Sequence, residues 1–344
     1  MPNPSLNIII EANVPYLRGV LEPYASNVHY LPADEITPKA VENCDALIVR
    51  TRTRCDEALL GRSRCRLIAT ATIGTDHIDT EWCASRGIVV VNAPGCNAPA
   101  VAQYVFASLM QVVCKPLGAH TIGIIGVGHV GSIVERWARA LDMKVLRYDP
   151  PRQQAEGGDD WASLDEIAEK ADIITFHTPL TRTGEHPTFH MADEAFFRKL
   201  RRAPILINSA RGAIVDNPAL VRALDEGFVS KAVIDCWEGE PDVSRELLHR
   251  AAIATPHIAG YSAAGKVRAS QQVADAVTTL FYLPRVHLNE PQPPACARTV
   301  SPTGVAESYD PMADTAAFRA HPEDFEKLRN SYPLREEAPE GKID

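Results

Sequence analysis

No uncharged apolar run in this chain approaches the ~18 to 20 residues that a membrane-spanning helix requires. The N-terminal stretch Met1 to Asn7 lacks a basic region, and the apolar run Leu6 to Ile10 is cut at once by Glu11. That segment reads as a buried strand and not as a signal peptide. The eight cysteines, at 44, 55, 65, 83, 96, 114, 236 and 296, include no C-x-x-C pair and no cysteine–histidine ladder. This argues against a zinc site and a disulfide framework, so no metal is expected. Positive charge is scarce as well: 35 Lys and Arg stand against 44 Asp and Glu, a net −9. Such a balance argues against nucleic acid or an anionic membrane as partner, while leaving room for a local basic patch. Internal repeats are absent too. The expectation is a reduced, soluble, cytoplasmic protein.

What is present is a long alternation. At about 150 residues per domain, 344 residues suggest two domains and a remainder. Short β-branched runs recur: LNIII (6–10), ALIVR (46–50), LIATA (67–71), IVVVN (88–92), TIGIIG (121–126), KVLRYD (144–149), DIITFH (172–177), PILINS (204–209), KAVIDC (231–236) and AAIATP (251–256). Helix-like segments separate them. Runs that are apolar on both faces suit parallel strands covered by helices, which predicts an α/β doubly wound fold. Four of the runs precede Pro94, residues 98–115 read as one apolar helix, and a second strand series starts at Thr121. After Leu283 the character changes, with nine of the 26 prolines in the last 61 residues. One helix stands out there, around Pro322 to Asn330; the tail reads as a disordered extension or a small appended module.

The strongest motif is TIGIIGVGHVG. Gly126, Gly128 and Gly131 form G-x-G-x-x-G after a strand and open a helix whose apolar residues Val130, Ile133, Val134, Trp137, Ala138 and Leu141 share one face. The first glycine allows the tight turn, the second lets backbone approach a pyrophosphate, and the third lets helix and strand pack closely. Free N–H groups at the helix start then hold the anion. The next strand ends in Asp149, 18 residues beyond Gly131, where a carboxylate reaches ribose hydroxyls and repels a 2′-phosphate. NAD is therefore the expected cofactor, ahead of NADP.

Three further residues follow buried strands: Arg211 after LINSA, Glu240 after AVIDCWEG and His257 after IATP. Ligands of open α/β sheets bind outside the carboxyl ends of the strands, so these residues are expected to converge. An arginine fork grips a carboxylate, and a histidine moves a hydroxyl proton beside a carboxylate that orients it. That set suits hydride transfer with a 2-hydroxy or 2-oxo acid. His77 and His177, and Cys96 and Cys236, read as structural.

The motifs GVGHVG, ADIITFHTPLTRTG, LINSARGAIVDNPAL, DCWEGEP and TPHIAGYS resemble those of the D-isomer-specific 2-hydroxyacid dehydrogenases, over roughly residues 5 to 285. A narrower set, ATATIGTDHID, NAPGCNAPAVAQYVF, YDPPR, WEGEP and PHIAGYSAAGK, resembles one branch that takes a small phosphorylated 2-hydroxy acid. The resemblance implies two doubly wound parallel-sheet domains, a Rossmann-type NAD domain and a flavodoxin-like substrate domain, with a small C-terminal α/β dimerisation module. Its boundaries are 1–97 with 259–285 for a discontinuous substrate (lid) domain, 98–258 for the NAD domain and 286–344 for a shortened dimerisation region. A homodimer follows from it.

By the same resemblance Arg211, Glu240 and His257 are catalytic. Gly126, Val127, Gly128, His129, Val130, Gly131, Asp149, Thr178, Ala210, Asp235 and Gly260 contact NAD, and Thr51, Thr72 and Tyr261 contact substrate. Arg50 and Arg52 lie in VRTRTR, where Arg50, Arg52 and Arg54 would face one way if extended. With Thr51 they are candidates for the substrate phosphate, against the alternative of a solvated strand edge. Two other functions stay open at this point: another 2-hydroxyacid dehydrogenase of the glycerate or hydroxypyruvate reductase type, and an NADH-sensing binding protein without catalysis.

Overall fold

The computed structural model describes residues 3–289, 304 and 308–337. The chain divides into two compact units, one of 3–97 with 263–289 and the other of 98–262 with the described residues of the tail.

In the first unit, β1 (Asn3–Glu11), β2 (Ala25–Leu31), β3 (Ala46–Val49), β4 (Leu67–Thr70) and β5 (Val89–Val91) pair in parallel in the order β2-β1-β3-β4-β5. That is the flavodoxin-like strand order. β3 and β4 are buried on both faces, as their unbroken apolar runs require. Helices α1 (Pro38–Val41), α2 (Glu57–Leu60) and α3 (Thr80–Ser85) lie between the strands in sequence. On one face Ile8, Ile10, Ile48 and Ala69 pack with Val273 and Val277 of the returning helix α11 (Ala263–Leu280). On the other, Ile9, Leu47 and Ile68 pack with Cys44, Cys55 and Cys65. Cysteine serves here as a small core residue. All seven cysteines among the described residues are free, and Cys296 lies outside those residues.

Five strands precede Pro94 where the apolar runs suggest four. β2, ASNVHYL, escaped because only Ala25 is buried and the strand lies at the sheet edge, so its pattern is neither alternating nor continuous.

The second unit opens with α4 (Ala98–Val112), which stops short of Lys115 because Pro116 follows. Then come β6 (Thr121–Ile125), α5 (His129–Ala140), β7 (Lys144–Tyr148), α6 (Pro150–Glu156), α7 (Leu164–Lys170), β8 (Ile173–Phe176), α8 (Glu194–Lys199), β9 (Ile205–Asn208), α9 (Asn217–Asp225), β10 (Lys231–Ile234), α10 (Arg245–Arg250) and β11 (Ile253–Ala254). The parallel sheet runs β11-β10-β9-β8-β6-β7, so strand order reverses beside β6. A crevice opens at such a point, outside the carboxyl ends of β6 and β8.

The described tail packs on this unit as two helices, α12 (Pro311–Ala320) and α13 (Phe325–Asn330). The sequence pointed to the second alone. Phe318 and Phe325 are fully buried in the same core as Trp237. Between 308 and 337 there is no strand, only one bridge from Arg335 to Ser262, so this part is helical and not mixed α/β. Among the described residues no helix is long and apolar enough to cross a membrane.

Candidate active site

The glycine turn closes β6 at the crevice. Gly126 adopts φ +87°, and a Cβ there would meet the backbone of His177 and Thr178 at 2.8 Å. A Cβ on Gly131 would stand 2.0 Å from the Gly126 carbonyl oxygen, so only glycine lets α5 start this close to β6. At Gly128 a Cβ would meet nothing within 4 Å, and no side chain caps the helix start. The space beside Gly128 is thus open at the positive end of a 12-residue helix, whose first N–H groups have no partner within the helix. Beside the turn the Thr178 Oγ1 is buried with no hydrogen-bond partner. A dinucleotide fits this cradle: the open side at Gly128 takes a pyrophosphate and Thr178 has a hydroxyl to offer. Asp149 accepts from Val127 N at 2.8 Å and Arg152 N at 3.1 Å, which fixes the turn and caps α6. His129 is exposed and Val130 half-buried on the first turn of α5.

The loops after β9, β10 and β11 lie together. Arg211, half-buried and extended, donates to the Ala210 carbonyl at 2.8 Å. A Cβ on the following Gly212 would fall 1.9 Å from the Trp237 carbonyl oxygen, so the Arg211 turn rests directly on the turn that carries Glu240. The Glu240 carboxylate accepts from Trp237 N at 2.8 Å and meets His257 Nδ1 at 2.8 and 3.1 Å. Burial alone would raise the Glu240 carboxyl, but the His257 charge and hydrogen bond and the Trp237 N–H outweigh it and hold the group below the usual carboxylate range. With Nδ1 facing Glu240, Nε2 is the ring nitrogen left to face a reactant.

Asp235 is engaged by three donors of the loop that follows β11. Its side chain is 1% exposed, and its oxygens accept from Thr255 Oγ1 at 2.7 Å, Ile258 N at 2.8 Å and Ala259 N at 3.0 Å. It fastens the loop that presents His257, Gly260 and Tyr261. Cys236 brings its Sγ within 4.8 Å of the ligand atoms of Glu240 and His257. Burial first, then Asp235 and Glu240, push this thiol well up, so it stays protonated and directs its S–H to the Ala210 carbonyl. His177 likewise stays neutral, since burial pushes its imidazole down to about 3.

The substrate candidates of the first unit follow β3 and β4. Thr72 Oγ1 pairs with Thr70 Oγ1 at 2.7 Å and donates to the Gly74 carbonyl at 3.2 Å. Thr51 and Arg52 are exposed. The strand ends at Val49, so Arg50, Arg52 and Arg54 do not share an extended face; instead Arg54 pairs with Asp56 at 2.8 Å. The bend has a cause that the sequence reading passed over. Glu11, 1% exposed, accepts from Arg50 N and from Thr53 Oγ1, each at 3.0 Å, and so pulls the chain out of the strand. A glutamate closing an apolar strand was the available signal. Arg152 also went unassigned, although YDPPR contains it; its guanidinium binds the Val127 carbonyl and Ser132 Oγ on the glycine turn.

Residues 100–259 match the family described as D-isomer specific 2-hydroxyacid dehydrogenase, NAD binding domain. The erythronate-4-phosphate dehydrogenase of Bacteroides thetaiotaomicron is 45% identical over 338 residues, covering 96% of this chain and 97% of that one. That of Porphyromonas gingivalis is 44% identical over 342 residues, covering 95% and 92%. Among solved structures, the D-lactate dehydrogenase of Aquifex aeolicus complexed with NAD and lactic acid has a TM-score of 0.67 at 26% identity, covering 80% of this chain and 96% of its own. The chain belongs to the D-isomer-specific 2-hydroxyacid dehydrogenases.

Proposed function

We propose that this chain oxidises 4-phospho-D-erythronate to (R)-3-hydroxy-2-oxo-4-phosphooxybutanoate with NAD, in the biosynthesis of pyridoxal 5′-phosphate (vitamin B6). The substrate assignment draws on the named relatives, which match nearly end to end. The chemistry draws on one observation above all, the 2.8 Å pairing of His257 Nδ1 with Glu240.

NAD, when bound, would supply the acceptor for the hydride leaving C2 of the acid. His257 takes the C2 hydroxyl proton at Nε2, and Glu240 holds Nδ1–H and favours the imidazolium that results. Arg211 grips the substrate carboxylate as a planar fork and steers C2. The backbone from Gly126 through Val127, Gly128, His129 and Val130 to Gly131 carries the pyrophosphate. Asp149 retains lone pairs for ribose hydroxyls beyond the two backbone bonds that it accepts. Thr178, Ala210 and Gly260 border the same cofactor, and Asp235 supports it from behind through the His257 loop. Thr51, Thr72 and Tyr261 contact the acid, and Arg50 or Arg52 meets its phosphate. A homodimer and a cytoplasmic location complete the proposal.

His257→Ala tests it. If the imidazole moves the proton, kcat falls by about a hundredfold to ten-thousandfold while NADH still binds. Near-normal turnover in that variant refutes the acid–base assignment.

A further inference from the structure

Past α13 the chain from Ser331 to Glu337 returns to the loop after β11, and the chemistry above leaves this part out. Ser262, the last residue of that loop, forms a parallel bridge with Arg335, and its Oγ donates to the buried Glu337 carboxylate at 2.6 Å. The bridge brings the Arg335 side chain onto the loop. A guanidinium has five N–H donors in a fixed plane, and here five oxygens take them. Nε donates to Gln103 Oε1 at 3.1 Å. Nη1 donates to the carbonyls of Ile258 at 3.0 Å and Tyr261 at 3.3 Å, and Nη2 to those of Ala100 at 3.0 Å and of Ala259.

The fork is itself held in place. Gln103, fully buried in α4, turns its Nε2 to Ser308 Oγ at 3.0 Å and to the Glu336 carbonyl at 3.1 Å. The centre of the Tyr309 ring lies 4.5 Å from the guanidinium carbon. The Tyr309 and Tyr332 hydroxyls share the Asp314 carboxylate at 2.7 and 2.9 Å, and the Tyr332 ring stands edge-on to that of Tyr261, with centroids 6.2 Å apart.

Ile258 and Ala259 are thus gripped at both their N–H and their carbonyl groups. The Asp235 carboxylate takes the two N–H groups at 2.8 and 3.0 Å, and Arg335 takes the two carbonyls. An anion on N–H donors and a cation on carbonyl acceptors both make charge-assisted bonds, the stronger kind. His257 directly precedes this pair with φ at +57°, a conformation that persists only where the surroundings over-determine it.

We propose that Arg335 is a positioning residue, through which the C-terminal tail fixes the backbone that carries His257 and Tyr261. This rests on the reading of His257 as the acid–base group. Removing the guanidinium takes a donor away from the buried carbonyls of Ile258 and Ala259, and the loop must shift to find others. The imidazole then leaves its place beside the C2 hydroxyl, and a misplacement of about 1 Å costs roughly a hundredfold in rate. Lysine offers three donors from a single point and cannot span five oxygens, so it keeps only part of the hold.

The test uses the full chain with Arg335→Ala and Arg335→Lys. Turnover of 4-phospho-D-erythronate is measured per NADH-binding site, with sites counted by fluorescence titration so that unfolded chains do not enter. Per site, kcat is expected to fall about a hundredfold in Arg335→Ala and about tenfold in Arg335→Lys. With acid deuterated at C2, the isotope effect on kcat is expected to be at least as large as in the wild type, because the chemical step is the one slowed. A merely structural role lowers the number of sites and leaves kcat per site alone, and that result overturns the proposal. A smaller isotope effect overturns it too, and so does a raised KM with kcat intact. If Arg335→Ala binds no NADH, Arg335→Lys decides, and wild-type kcat per site in that variant is the contrary result. The wild type is the control for the substrate. No NADH from the wild type sinks the proposed function, whereas normal wild-type turnover with unimpaired variants sinks the role of Arg335 alone.

Discussion

His257 holds φ at +57°, a left-handed conformation that residues other than glycine seldom adopt. Its N–H is bonded to the carbonyls of Asp235 at 2.9 Å and Thr255 at 3.0 Å, and the Asp235 carboxylate binds the two N–H groups that follow. The strain is thus held by a network whose members are buried, which is how such conformations persist at reactive sites. His177 shows the other use of a histidine. Burial pushes its imidazole down to about 3, from an ordinary value of ~6.5 in an unfolded chain. Between those values the unfolded state binds a proton that the folded state refuses, so stability falls as pH falls through that window. The pH dependence of unfolding free energy between about pH 6.5 and 3 is expected to be shallower in His177→Asn than in the wild type. An identical slope would show that His177 protonates as readily in the folded chain. Arg211, Glu240 and His257 were legible because each follows a recognisable strand. Asp235 was legible as important but not as a loop fastener, since the bonds that occupy it come from residues 20 to 24 positions later.

At the scale of elements, the glycine turn is where sequence and geometry agree most closely. Three glycines have three different reasons, and two of them separate by experiment. Gly131→Ala places a Cβ 2.0 Å from a backbone oxygen that cannot rotate away, so α5 must shift. That variant is expected to unfold several degrees lower, consistent with an overpacking cost of about 1 to 3 kcal/mol. Gly128→Ala meets nothing within 4 Å and keeps its thermal stability, but puts a methyl group where a pyrophosphate would approach. Its NAD affinity is expected to fall with little change in Tm. Thermal melts with NAD titrations would contradict this account if Gly131→Ala melted with the wild type, or if Gly128→Ala bound NAD as well. Strands buried on both faces were equally legible. β2 was not, because an edge strand with one buried residue has no pattern to read. The arginines after β3 misled for a related reason: period two is meaningful only while the chain stays extended, and the buried Glu11 ends the strand at Val49.

For the whole molecule, two parallel sheets organise the two units, and the alternation of β-branched runs and helices announced both. The tail was harder. Its prolines suggested irregular chain, yet Pro311 and Pro322 sit in the first turns of helical segments, where a missing N–H costs nothing. What ties the tail down is tertiary: Phe318 and Phe325 in the core beside Trp237, and Arg335 on the carbonyls of the His257 loop. No local pattern forecasts such contacts. The central claim concerns the substrate, and NADH absorbance on mixing the enzyme with NAD and 4-phospho-D-erythronate tests it most directly. NADH is expected to form, and kcat/KM to fall by about a hundredfold or more when the acid lacks its phosphate. Absence of NADH with the phosphorylated acid, alongside turnover of glycerate or hydroxypyruvate, would contradict the account.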